Sequence, residues 1–160
     1  MEFSLIIRRA APADAPDILN ILRESFIEYI RQSHIPLALN EMLDDIRSVE
    51  RDIAGIDVFI ALVDGIPVGT VRVAVREGAP ALLTKLGVIP EYNNQGIGRA
   101  LMNLVDKVII DRGAASLELY TASRNANIMR FYYGHGFYVD STSKERGYIR
   151  ALMRKDYKIT

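Results

Sequence analysis

Gly96 and Gly98 stand one residue apart, directly ahead of an apolar-periodic run, and are the residues of this sequence best suited to hold an anion. Lacking Cβ atoms, such a pair lets backbone N–H groups converge on a phosphate at a helix start. The helix dipole adds only about 0.3 to 1 kcal/mol, so several convergent N–H bonds must carry the binding. From the glycines alone, a phosphate cradle and a turn that merely needs positive φ angles fit equally well. Other glycine motifs are excluded more firmly. A triphosphate-binding loop needs Lys then Ser or Thr after its last glycine, and Gly98 is followed by Arg99 and Ala100. A dinucleotide fingerprint wants a third glycine where Leu101 stands and its first glycine close behind the strand, whereas seven residues separate Val88 from Gly96. Glu118 lies about twenty positions on, where a ribose-binding acid would stand, but the long loop makes that spacing a coincidence. The chain has no cysteine, hence no thiolate nucleophile or thiolate metal site, and His34 and His135 lack metal-ligand spacing, so no metal is expected.

The elements that would position this loop follow from periodicity. Ser4 to Arg8 reads as a strand, and Pro12 opens a helix with Ile18, Ile21, Leu22, Phe26 and Ile30 on one stripe. Asn40 is placed to cap a second helix with the stripe Met42, Ile46, Val49 and Ile53, ended by Gly55. Val58 to Val63 reads as a buried strand, Asp64-Gly65 as a hairpin turn, and Val71, Val73 and Val75 alternate with Thr70, Arg72, Ala74 and Arg76. That alternation predicts one buried face and one wet face. Leu82 to Val88 is the next strand, and the polar loop Pro90 to Gln95 leads to the glycines. A helix of about four turns follows, with Gly113 at its C′ position. Ser116 to Thr121 is a strand, Ala126 to Tyr133 a short helix closed by Gly134, and 137–139 and 148–153 are final strands. The order predicts a mixed α/β layer fold.

Composition bounds the rest. At 160 residues one domain, 1–160, is expected. Twenty basic residues balance twenty acidic ones, which disfavours nucleic acid and anionic membrane as partners. The five apolar-type residues before Arg8 are too few for a secretory h-region, and no run reaches membrane-spanning length, so a cytoplasmic location is expected. A β edge near the last strands could support a homodimer.

The stretch Leu86 to Leu101 (LGVIPEYNNQGIGRAL), followed by Asn125 through Phe137 with Phe131-Tyr132 and Gly136-Phe137, resembles the GNAT superfamily of acetyl-CoA-dependent N-acetyltransferases. The resemblance spans essentially the whole chain and is strongest from Leu82 to Phe137. It implies a single-domain α/β fold: a mixed, mainly antiparallel twisted sheet of six to seven strands, splayed at its centre, with about four helices on both faces. It implies acetyl-CoA as co-substrate, its pyrophosphate on the loop, with the strands ending at Val88 and starting at Ser116 parting so that Leu86 and Val88 pair with pantetheine like an added strand. Gly87 between them either forms a bulge with close approach or is a packing glycine. The family usually has Gln or Arg where this chain has Asn93. Asn still donates but reaches less far, leaving more of the pyrophosphate to the amides of Asn94, Gln95, Gly96, Ile97, Gly98 and Arg99. Asn125 matches a position that contacts the pantetheine arm, and it is equally a helix N-cap.

The resemblance makes Tyr132 the proton donor to the departing thiolate, with the Val88 N–H as oxyanion donor. The base is the open place. A lysine-like acceptor costs about 4 to 5 kcal/mol to deprotonate at neutral pH, and Thr84 stands where several family members have a carboxylate. Glu118, Tyr120, Glu28 and His34 are relay candidates, and ordered water is the leading one. The acceptor itself, a primary amine of a small molecule, amino acid or peptide, would depend on the loops 33–40 and 144–147. A non-catalytic acyl-CoA-binding sensor is the alternative. Asn93 and Thr84 favour it, and Tyr132 favours the enzyme.

Overall fold

The computed structural model describes residues 3–36 and 44–157. Among these residues eleven strands and α-helices follow in chain order. They are β1 (Leu5–Arg9), α1 (Ala15–Ser33), α2 (Ile46–Gly55), β2 (Asp57–Val63), β3 (Ile66–Ala74) and β4 (Ala81–Val88). After them come α3 (Ile97–Arg112), β5 (Ser116–Ala122), α4 (Ala126–Gly134), β6 (Tyr138–Ser143) and β7 (Arg150–Asp156). The sequence-derived order is reproduced; most boundaries shift by one or two residues, but β3 starts four residues ahead of Thr70, β6 runs four residues past 139 and β7 ends three residues past 153. Asn40 and Met42 lie outside the described residues. Within them α2 begins at Ile46, where the Asp45 carboxylate accepts the Ser48 N–H at 2.8 Å.

All seven strands form one sheet in the order β1-β2-β3-β4-β5-β7-β6. Every neighbouring pair is antiparallel except β4 and β5. Asp64 and Gly65, at φ of +49° and +82°, close the β2–β3 hairpin; both central residues are left-handed, as a two-residue turn matched to strand twist requires. Helices α3 and α4 cover one face, where Leu101, Val105 and Ile109 pack on Val71, Val73, Leu117 and Leu119. On the other face Ile18, Ile21, Leu22 and Phe26 of α1 and Val49 of α2 pack on Val58 and Ile60. Among the described residues no helix is long and apolar enough to cross a membrane.

The wet face expected for β3 is a correction. Thr70 and Arg72 are both buried, because α1 and α2 lie over the face that alternation assigned to solvent. Thr70 Oγ1 donates to the Phe59 carbonyl at 2.8 Å, and Arg72 Nη1 donates to Asp44 at 2.6 Å and Asp52 at 2.9 Å. A polar period-2 register therefore marked a sheet buried on both faces, its charge neutralised by Asp52 of α2 and by Asp44 just ahead of that helix rather than by water.

Candidate active site

The site begins where β4 leaves β5. Only Ala81–Leu117 and Leu82–Glu118 are paired, and from Leu83 onward the two strands part. On its other side β4 stays bonded to β3, and this fixes where its free groups point. The Ile89 N–H donates to the Val68 carbonyl at 2.8 Å. Strand alternation therefore turns the N–H and C=O of Val88, opposite Gly69, away from β3 and into the gap. A main-chain edge with unspent donors and acceptors results.

The bulge in this strand lies earlier than Gly87. Register runs from Arg72–Thr84 to Thr70–Gly87, so β4 carries one extra residue, and Lys85 takes a left-handed φ of +53° there. The Lys85 ammonium rests 5.6 Å above the Phe26 ring, and burial pushes its pKa down. Gly87 is the packing glycine. A Cβ there would overlap Ser25 Oγ and come within 3.3 Å of Leu22 Cδ2, both on α1. Gly87→Ala is expected to cost about 1 to 3 kcal/mol in urea unfolding, part of it regained by Ser25→Gly, because the clash is overpacking of α1 on the sheet. Equal stability of Gly87→Ala and the parent would contradict that contact.

The glycine loop builds a second set of free donors. Asn94 at φ +63° and Gly96 at φ +83° turn the chain left-handed twice within three residues. Gly96 caps α3 without a side chain, and the first intrahelical bond there is Ala100 N–H to the Gly96 carbonyl at 2.9 Å. The amides of Ile97, Gly98 and Arg99 thus have no partner within the helix. The Ile97 side chain is buried in the core, so only its amide is available. Asn93 spends its own N–H on the Pro90 carbonyl, and its side chain is exposed. The Gln95 side chain folds back, its Nε2 donating to the Glu91 carbonyl at 3.4 Å.

Helix α4 links this loop to the gap. The Phe131 ring lies 3.4 Å from where a Gly98 Cβ would stand. Its neighbour Tyr132 is buried, edge-on to Phe131 at 5.3 Å and to Phe137 at 5.5 Å. Burial, helped by the nearby Tyr29 phenol, pushes the Tyr132 hydroxyl well above its ordinary pKa. Asn125 is the N-cap of α4: Oδ1 accepts the Ile128 N–H at 3.1 Å, and Nδ2 donates to Ser33 Oγ at 3.1 Å. The capping alternative is thus realised, and one Nδ2 hydrogen remains for another acceptor.

Sequence reasoning missed Tyr29. The Ala122 N–H, turned away from β7 because Ser123 N–H bonds the Ile149 carbonyl, donates to the Tyr29 hydroxyl at 2.7 Å. Thr121 Oγ1 lies 3.3 Å from the same oxygen. Tyr29 therefore anchors α1 to the β5 side of the gap, and burial raises its pKa against the opposing pull of these bonds. Its signal was present in the Leu22, Phe26, Tyr29, Ser33 spacing, which continues the apolar stripe of α1 by the helical repeat.

The relay candidates separate. Glu118 sits at the closed end of the sheet, paired with Leu82, about 13 Å along β5 from Ala122. Tyr120 is exposed under the Arg150 guanidinium at 4.5 Å, and the partly buried Glu28 carboxylate is held by Arg31 and Gln32. Thr84 faces the buried Arg72. His34, the left-handed C-cap of α1, does line a cavity at the open end of the gap. The His135 ring packs 4.7 Å from Phe131. Among the described residues no cluster of His, Cys, Asp or Glu could hold a metal.

The model of the acetyltransferase (GNAT) family matches residues 15–137. The chain belongs to the GNAT acetyltransferase family. Its match runs from the start of α1 through Phe137, so it takes in the splay, the glycine loop and α4. The chain is 24% identical over 148 residues to a spermidine N(1)-acetyltransferase of Thermoplasma acidophilum, covering 87% of this chain and 91% of that one. The structure of the PaiA N-acetyltransferase of Thermoplasma acidophilum, in complex with coenzyme A, superposes with a TM-score of 0.83. It is 23% identical and covers 96% of this chain and 99% of that one. The ribosomal-protein-S18-alanine N-acetyltransferase of Escherichia coli follows at a TM-score of 0.77 and 18% identity, covering 98% and 96%. These structures share the GNAT fold, and GNAT enzymes take their acetyl group from acetyl-CoA.

Proposed function

We propose that residues 1–160 act as one N-acetyltransferase domain that moves the acetyl group of acetyl-CoA to a primary amine of a small molecule, amino acid or peptide, by direct attack in a ternary complex. The observation that carries this is the parting of β4 from β5 after two paired residues, beside a helix start whose amides are unspent. The amides from Asn94 to Arg99 hold the pyrophosphate, assisted by the Asn93 side chain. Leu86 and Val88 pair with the pantetheine amides along the strand edge, and Gly87 keeps that edge seated under α1. Asn125 offers its remaining Nδ2 hydrogen to the same arm. The co-substrate supplies an activated thioester.

The amine nitrogen attacks the carbonyl carbon, the C–S bond breaks, and the amide product forms. The Val88 N–H faces the developing oxyanion. Tyr132 gives its proton to the departing sulfur, and the proton shed by the amine leaves through ordered water, supported by Glu118 lying at the closed end of the sheet and Glu28 being bonded to Arg31 and Gln32. Burial raises the Tyr132 pKa, but a thiolate leaving into the same apolar surroundings is raised as well, so the proton transfer is not made prohibitive.

Gly98 tests the cradle. Gly98→Asp would add a negative charge to the loop whose amides are proposed to hold the diphosphate. The repulsion of about 1 to 4 kcal/mol weakens coenzyme A binding at least about fivefold by calorimetry. Gly98→Ala, whose Cβ makes only ordinary contact with Phe131, is the control and keeps the affinity within about twofold. Equal affinities for Asp and Ala would place the pyrophosphate elsewhere. No binding of coenzyme A to the folded parent would end the proposal.

A further inference from the structure

The chain as a whole is neutral, with twenty residues of each sign, so a local excess of one charge in a cavity needs its own explanation. Such an excess lines the open end of the gap. A cavity of about 450 Å³ lies between the C-terminus of α1, the end of β5 at Ala122 and the β6–β7 hairpin. Arg124 enters it from the turn between β5 and α4, and Lys144 and Tyr148 from the hairpin. Neither Arg124 nor Lys144 forms an ion pair or hydrogen bond among the described residues. Arg150 projects beside them: its register partner is Ala122, so the two share a face of the sheet. Its guanidinium lies over Tyr120, and its Nε is buried without a hydrogen-bond partner among the described residues. No acidic residue lines the cavity among the described residues, and the Glu28 carboxylate on α1 is already bonded to Arg31 and Gln32. The cavity is of small-molecule size.

Taking the acetyltransferase reading as given, we propose that the acceptor is a primary amine carrying a carboxylate, an amino acid or a short peptide, with the carboxylate held by Arg124 and Lys144 and Arg150 beside them. The planar guanidinium of Arg124 matches a carboxylate through paired N–H bonds, and Lys144 adds a mobile ammonium. Holding the carboxylate at the mouth aims the amine inward along the axis from Ala122 toward the Val88 edge. A polycation meets like charge at the same place. This distinguishes the chain from its Thermoplasma acidophilum relative, whose name specifies spermidine.

Lysine and 1,5-diaminopentane differ only in the carboxylate and make the cleanest pair of probes. Release of free coenzyme A thiol is expected to be at least about tenfold faster in kcat/KM for lysine than for diaminopentane or spermidine. The double variant Arg124→Glu with Lys144→Glu, both on the surface, lowers kcat/KM for lysine about tenfold to a hundredfold and raises that for diaminopentane, at unchanged acetyl-CoA affinity. If neither amine turns over, calorimetric titration of each into the coenzyme A complex reads the same preference. A preference for spermidine or diaminopentane, or one unmoved by the charge reversal, overturns the proposal and leaves the acetyltransferase reading intact. A better rate with O-phosphoethanolamine than with any carboxylate-bearing amine overturns it as well. Failure of the parent to bind acetyl-CoA would instead strike the underlying reading.

Discussion

Tyr132→Phe is expected to lower kcat by about a hundredfold or more while acetyl-CoA affinity stays within about twofold, because only the proton destined for the leaving sulfur is removed. The ring makes the packing contacts, to Phe131 at 5.3 Å and Phe137 at 5.5 Å, and phenylalanine keeps both. The hydroxyl makes no hydrogen bond among the described residues, so its loss leaves no buried partner orphaned. Stability should therefore hold within about 0.5 kcal/mol, and a fall in rate is a statement about chemistry. The pH profile adds a second readout. Burial raises the Tyr132 pKa in the folded protein, so the phenol is protonated below its ordinary value near 10 and remains so above it. No decline of rate between about pH 7 and 9 comes from Tyr132 ionising, and the variant's profile should run parallel to the parent's. The same shift makes the phenol a stabilising neutral group whose contribution is full below the unfolded value and is lost as pH rises through the folded one. Wild-type turnover in Tyr132→Phe would remove the residue from the mechanism and direct attention to Tyr29, which already bonds the Ala122 amide.

What the sequence made legible here is what depends on local chain geometry. Gly96 and Gly113 bracket α3 as left-handed residues, Asp64-Gly65 turns the hairpin, and the apolar stripes of α1 and α3 face the sheet as their spacing requires. The glycine loop was legible for the same reason, since its donors are main-chain groups whose direction the helix start decides. Features that depend on what packs above a strand were not. Alternation along β3 is the same whether its polar face meets water or a helix bearing carboxylates, so Arg72 and Thr70 were read as wet. Gly87 carries no local mark that tells a bulge from a contact with Ser25. The bulge fell instead at Lys85, a residue whose type gives no hint of a left-handed φ. Tyr29 was overlooked because its value lies in the oxygen it sends to the end of β5, ninety-three positions along the chain from its own helix.

Arg72 gives the largest expected change in stability. It lies on β3 with 1% of its surface exposed, and its Nη1 bridges Asp44 and Asp52. The bridge pins α2 over the sheet at a point where the helix contributes Val49 as its one fully buried apolar residue. Removing the cation alone leaves two carboxylates facing each other above an emptied pocket. Arg72→Ala should therefore cost about 3 kcal/mol in urea unfolding, the low end for breaking a buried pair because the Asp52 side chain keeps 38% exposure. At about 2 to 4 °C per kcal/mol for a chain of this size, the melting temperature falls by roughly 6 to 12 °C. Arg72→Met separates charge from volume. It fills most of the pocket yet leaves the carboxylates unneutralised, so it should recover only part of the loss. Combining it with Asp44→Asn and Asp52→Asn should recover most of the remainder, since the buried guanidinium also leaves Nε and Nη2 without partners among the described residues and its desolvation offsets much of what the bridge contributes. A change of less than about 0.5 kcal/mol in Arg72→Ala would mean that water reaches this guanidinium and that α2 is held by its apolar contacts alone.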